Sequence, residues 1–221
     1  MPEVIERTIY RYDELSPRAK EHAASDYQEG NFDHDWWDDV YEDAITVAAL
    51  LGINIDTHTV NMSCGREYQK TCIFFNGFCS QDNGACYTGH YRHPDGNIVE
   101  AVASYASQDE ELRRIAKGLV CIQVQAQLSI GCTVTAKITT SGKYHHSNTM
   151  SIDVERNDGD DDFAVPLWEN IDTNLTQLLR DFADWIYKQL KTENDYLYSE
   201  EHAAERFADN GDRFNENGVM I

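Results

Sequence analysis

From Leu167 to Leu190 the apolar residues fall at Leu167, Ile171, Leu175, Leu178, Leu179, Phe182, Trp185, Ile186 and Leu190, the three-and-four spacing of one helix face. At 1.5 Å per residue such a helix, spanning about 167–192, presents an apolar stripe roughly 36 Å long. A stripe of that length must be covered by another layer of structure. The rest of the chain has to provide that layer.

The middle of the sequence offers a sheet. INIDTHTVNM, TCIFFNGFCS and ACYTGHYRH read as strands, rich in β-branched and aromatic residues. IGCTVTAKITT and HSNTMSIDVE read as two more, joined through SGKYH with Ser141-Gly142 at the turn. Further helices flank and interrupt them. Ser16-Pro17 opens one that ends at Gly30, and a second runs over about 33–51, from Asp33 to just before Gly52. A third covers Gln108 to about Gln127, and a last begins near Ser199, ahead of a short hairpin turning at Asn217-Gly218. No repeat or linker interrupts the chain. The expectation is one α+β domain over residues 1–221: an antiparallel sheet of about five strands packed by N-terminal and C-terminal helices.

Charge separates the ends from the middle. The 221 residues carry a formal net charge of -21. Counted along the chain, residues 1–50 contribute -9, residues 51–154 contribute -1 and residues 155–221 contribute -11. Acidic ends repel nucleic acid and anionic membranes and attract basic partners. The N-terminus MPEVIERTIYRYDEL lacks the apolar core of a signal peptide, and no run is long and apolar enough to span a bilayer. These features lead to the expectation of a cytoplasmic protein with reduced thiols.

Three clusters carry chemistry. FCSQDNGACYTG holds Cys79 and Cys86 around Asn83-Gly84, a pair that tolerates the positive φ of a tight turn. A four-residue loop sets Cys79 opposite Cys86, and a two-residue loop sets them diagonally. Either way His90 falls on the same face, with His93 nearby. Cys79, Cys86, His90 and His93 are zinc-ligand types, at a spacing unlike a standard knuckle. The bland alternative is two small thiols packed beneath a hairpin. A thiol nucleophile is a further reading, with Cys86 served by His145, His146 or His90 as base. No cofactor is implied beyond that alternative.

The second cluster, NDGDDDFAVPLWE, imitates a calcium loop through Asp158, Asp160, Asp162 and Glu169. It lacks the glycine such a loop needs, so a solvated acidic loop is expected. The third is NFDHDWWDDVYED, where Asp35, Asp38, Asp39, Glu42 and Asp43 surround Trp36 and Trp37. Carboxylates on a helix can present charge as phosphates do, and Trp side chains anchor interfaces. The bland reading is the solvated face of an amphipathic helix.

The stretches YDELSPRAKEHA, DWWDDVYEDA, GFCSQDNGACYTG, HHSNTMSIDVE and DFADWIYKQLKTENDYLYSEE resemble a family of phage and prophage proteins, some of them labelled antitoxins of toxin–antitoxin systems. The resemblance implies a mobile-element protein with an anti-defence role, and it supplies no catalytic residues. The combined expectation is an inhibitor without catalytic activity. It would bind a basic, nucleic-acid-binding host protein through Asp35, Trp36, Trp37, Asp38, Asp39, Glu42 and Asp43, and would bind neither nucleic acid nor membrane itself. A metal- or thiol-dependent enzyme centred on Cys79, Cys86, His90 and His93 is the alternative. Oligomeric state stays open at this point.

Overall fold

A computed structural model describes residues 7–30, 35–62, 65–78, 83–157 and 165–221. In chain order the elements are α1 (Pro17–Gly30), α2 (Asp38–Leu51), β1 (Ile53–Ile55), β2 (Thr57–Asn61), β3 (Glu67–Thr71), β4 (Ile73–Phe75), β5 (Ala85–Tyr87), β6 (Gly89–Arg92), α3 (Ile98–Tyr105), α4 (Glu110–Ile130), β7 (Thr133–Thr140), β8 (Met150–Asn157), α5 (Val165–Leu197) and α6 (Glu200–Asn210). They divide into two compact units. One unit is Met1–Asp38 with Leu190–Ile221, and the other is Asp39–Gln189.

The larger unit is built on antiparallel pairing throughout. Its main sheet has four strands in the order β1-β6-β7-β8, and two two-stranded ribbons, β2-β3 and β4-β5, accompany it. A single five-stranded sheet was expected. The difference arises at one point, where three extended segments exchange partners. The Asp56 N–H donates to the Thr88 carbonyl (2.9 Å), the Thr88 N–H to the Cys72 carbonyl (3.1 Å), and the Cys72 N–H to the Asp56 carbonyl (2.9 Å). This closed triangle satisfies all three residues and splits each segment in two. Residues 53–55 pair with β6, residues 57–61 with β3, and residues 73–75 with β5.

The predicted apolar face of α5 is buried from Ile171 onward, with Ile171, Leu175, Leu179, Phe182 and Ile186 fully covered, whereas Leu167, read as part of that face, is exposed. Gly118 of α4 meets Leu178 so closely that a Cβ there would lie 2.6 Å from its Cδ2, so the glycine lets the two helices approach. Asp109 caps α4 by accepting from the Leu112 N–H (2.9 Å), and its other oxygen accepts from Trp185 Nε1 (2.8 Å). One carboxylate thus fixes a helix start and a tryptophan of the neighbouring helix. Tyr87, fully buried, donates to the Leu179 carbonyl (3.1 Å). Gln123 does comparable work for the sheet. Its Nε2 donates to the Val134 carbonyl (2.8 Å), its Oε1 accepts from the Val134 N–H (3.1 Å), and Nε2 also reaches the Tyr91 hydroxyl (3.2 Å). Val134 lies one residue beyond the end of the β6–β7 pairing, and the buried amide stands in for the missing strand.

The smaller unit packs Leu15, Ala19, Ala23 and Ala24 against Ala203, Phe207 and Phe214, with Tyr10, Tyr12 and Tyr27 around them. Its C-terminal turn is as read: the Gly218 N–H donates to the Asn215 carbonyl (3.1 Å), at φ +85°. Gly218 also lies against Ala19, whose carbonyl oxygen would be 2.0 Å from an added Cβ. Both demands exclude a side chain.

Candidate functional site

The hairpin carrying Cys86 adopts neither expected register. Phe74 is the cross-strand partner of Cys86, Phe75 pairs with Ala85, and the Asn76 N–H donates to the Gly84 carbonyl (3.2 Å). The loop is therefore wider than Asn-Gly alone would close. Burial sets the register: Ile73 and its partner Tyr87 are both in the core, and a one-residue slip would turn them out. Cys79 lies outside the described residues. Gly84 has no positive φ, contrary to the turn reading. It is small for another reason, because a Cβ there would lie 2.5 Å from His146 Cβ.

That close approach brings a polar centre together. Cys86 Sγ lies 3.6 Å from His145 Nδ1, and the His145 ring stacks on Phe74 at 5.3 Å. Cys86 is fully buried. Burial pushes its thiol up to about 11, against the opposing pull of the Thr149 hydroxyl. The direction of this contact follows the His145 tautomer: the Sγ–H donates where Nδ1 carries no proton, and the sulfur accepts where it does. The next residue faces a different partner: His146 Nδ1 accepts from the Asn148 N–H (3.2 Å). Ser147 is buried and hydrogen-bonds Asp184. The Asp184 carboxyl is raised above its ordinary range by desolvation, with Ser147 and His146 pulling it down and Asp181 and Glu111 pushing it up. Thiol, two imidazoles, hydroxyls and a carboxylate thus meet around β5 and the 147–149 turn. A neutral, covered thiol is a poor nucleophile, so the arrangement as it stands is a structural polar network.

The other proposed zinc ligands go elsewhere. His90 is exposed, with Nδ1 3.6 Å from Asp56 Oδ1. His93 is half-buried, its Nδ1 has no hydrogen-bond partner among the described residues, and burial lowers its pKa while Asp95 opposes the change. His58 Nδ1, not singled out in the sequence, lies 3.4 Å from Cys72 Sγ. Among the described residues, no three His, Cys, Asp or Glu side chains converge to hold a metal ion. The acidic stretch Asp158–Asp162 lies outside the described residues.

The acidic helix begins later than its sequence suggests. Trp36 and Trp37 precede it in a turn closed by the Asp38 N–H on the Asp35 carbonyl (3.1 Å), and the two half-buried rings meet edge-on at 5.7 Å. The helix starts after them, at Asp38. Val47, Ala48, Ala44 and Leu51 form the buried side of α2, with Tyr41. Asp38, Asp39 and Glu42 stand exposed on the other side, and Asp43, half-exposed, accepts a hydrogen bond from the Tyr105 hydroxyl. Among the described residues the ion pairs fall elsewhere, at Arg114–Asp181, Lys188–Glu111 and Lys191–Asp195 and at two histidines. Among the described residues no lysine or arginine forms an ion pair with the α2 carboxylates.

Residues 36–200 match the family model for a domain of unknown function, DUF8835, and the chain belongs to that family. The match takes in α2, every strand and the polar centre at Cys86. No curated protein and no solved structure matches the chain. Among the described residues no helix is long and apolar enough to cross a membrane.

Proposed function

We propose that this chain is an acidic interaction protein that occupies a basic, nucleic-acid-binding surface on another protein. One observation carries the reading: Asp38, Asp39 and Glu42 project into solvent, Asp43 is half-exposed, and among the described residues none of them is paired with a cationic side chain. Asp38 to Asp43 spans about 7.5 Å of helix axis, so these carboxylates give a linear charge density near the duplex value of one per ~1.7 Å. Exposed carboxylates that lack an internal counter-charge cost self-repulsion and are relieved when a basic surface meets them. Trp36 and Trp37 at the start of the same segment are suited to anchor the contact.

The resemblance to phage and prophage proteins supplies the setting: a cytoplasmic, antitoxin-like or anti-defence inhibitor of a host protein. The test is capture from host lysate on the wild-type chain and on a variant with Asp35, Asp38, Asp39 and Asp43 changed to Asn and Glu42 to Gln. A partner held by the wild type, lost with the variant and displaced by duplex DNA or by RNA supports the proposal. A partner held equally by both chains refutes it.

The contact between Cys86 and His145 favours a second reading, thiol-dependent chemistry. That reading requires the site to open, because the thiol is covered and protonated at neutral pH. Labelling of Cys86 by a thiol reagent tests it.

A further inference from the structure

Beyond the partner-exchange triangle, β2 and β3 continue as a largely exposed two-stranded arm. Every residue of Thr57–Asn61 is exposed except Val60, and every residue of Glu67–Thr71 except Thr71. A two-stranded ribbon is at best marginally stable in water by itself. Among the described residues no strand pairs with the outer edge of either member.

The pattern of hydrogen bonds identifies the groups on that edge. The Met62 N–H donates to the Arg66 carbonyl, and the Cys72 N–H donates to the Asp56 carbonyl. With Met62 bonded to Arg66 and Asp56 to Cys72, alternation makes His58·Lys70 and Val60·Tyr68 the bonded pairs between. Thr57, Thr59 and Asn61 therefore turn their N–H and C=O groups outward. Three unpaired peptide units in an extended row form a template for another strand.

Edge strands in stable monomers are guarded by charge, proline or a bulge. The β8 edge is guarded, with Asp153, Glu155 and Arg156, and β3 carries Glu67 and Lys70. β2 reads THTVN, with no Asp, Glu, Lys, Arg or Pro. The arm is also where a copy of so acidic a chain approaches with least repulsion. Residues 57–71 hold two basic side chains, Arg66 and Lys70, against one acidic, Glu67, in a chain of net charge -21.

The geometry points to a second copy of this chain as the occupant, joined through β2 about a two-fold axis at Thr59. An antiparallel pairing of Thr59 with the partner's Thr59 and of Thr57 with the partner's Asn61 satisfies every outward group at once. Such a contact is self-complementary, as a two-fold interface requires. Val60, Met62 and Tyr68 lie on one face of the arm, and Met62 and Tyr68 are 48% and 42% exposed. Pairing continues that apolar strip across the axis.

The chain is examined by analytical ultracentrifugation and by cysteine cross-linking in a background with Cys64, Cys79 and Cys121 changed to Ser, which leaves the buried Cys72, Cys86 and Cys132 in place. At a bonded pair on the axis the two Thr59 Cα atoms would be about 5.5 Å apart, within reach of a disulfide. Thr59→Cys is expected to give a disulfide-linked dimer under mild oxidation, and Gln69→Cys, on the outer edge of β3, is expected to give none. The parent should sediment as a concentration-dependent dimer that strengthens with salt. Thr59→Pro removes an outward N–H and the exposed hydroxyl that accepts from Gln69 Nε2 but no backbone bond within the arm, so it should sediment as a monomer with an unchanged circular dichroism spectrum. Should Thr59→Pro fail to fold, Thr59→Lys, which sets like charges opposite each other, serves in its place. A parent that stays monomeric at all concentrations overturns the proposal, as does equal cross-linking at positions 59 and 69.

Discussion

Cys86 and His145 are 59 positions apart, yet Cys86 Sγ lies 3.6 Å from His145 Nδ1, with Phe74 both opposite the cysteine and stacked on the imidazole. The contact forms because β4–β5 carries the thiol to the chain just before the 147–149 turn, and Gly84 lets His146 approach its backbone. It is a contact between a buried thiol and an imidazole. Its consequences can be measured.

At pH 8 a thiol pushed up to about 11 is ionised only to roughly one part in a thousand, and Cys86 is fully covered as well. Iodoacetamide should therefore label exposed Cys121 quickly and Cys86 only on unfolding, as read by peptide mass spectrometry. Rapid native labelling of Cys86 would reinstate the thiol-enzyme reading. The pH dependence has a definite sign. The folded state holds this proton more tightly than the unfolded chain, so the Cys86 contribution to stability is constant below pH 9 and falls as pH rises from 9 toward 11. Cys86→Ala should abolish that part of the fall.

Gly84→Ala puts a methyl group into space held by His146, with no backbone strain to confuse the result. The expected loss is about 1–3 kcal/mol, typical of overpacking, by urea denaturation. Gly118→Ala on α4 meets only the flexible end of Leu178 and should cost less.

Gln123→Leu keeps the size of the side chain and removes its amide. The Val134 N–H and C=O would then be buried and unpaired, for a loss of about 2–4 kcal/mol. A neutral result would mean that water or a shifted strand replaces the amide.

The helices were legible because burial imposes their period. The stripe from Ile171 to Leu190 and the Ser199 cap of α6 stand in the sequence as they stand in the fold. The β7–β8 hairpin was equally plain. The exchange at Asp56, Cys72 and Thr88 was not, since a strand keeps its alternation when it changes partner. β3 escaped notice because EYQKT is exposed on both faces and shows no alternation to read. α3, with Ile98 and Val102 buried, was too short and too apolar to be told from loop or strand. At the site, the acidic residues of α2 could be listed from the sequence, as could Cys86 and His145 as separate thiol and base candidates. Their contact could not, because it depends on a register set by Ile73 and Tyr87.

The central claim is that the α2 carboxylates are a binding surface, and salt titration of complex formation tests it most directly. The wild-type chain and the variant neutralised at Asp35, Asp38, Asp39, Glu42 and Asp43 are compared against the captured partner over about 50–500 mM salt. Screening shortens the reach of exposed charges from about 14 Å to roughly 4 Å over that range. The wild-type affinity should fall steeply with salt. The neutralised chain should bind roughly a hundredfold more weakly at low salt, with a nearly flat dependence and an intact fold. Equal affinities and parallel salt dependences for the two chains would contradict the account and leave the charge of α2 as a solvated coat.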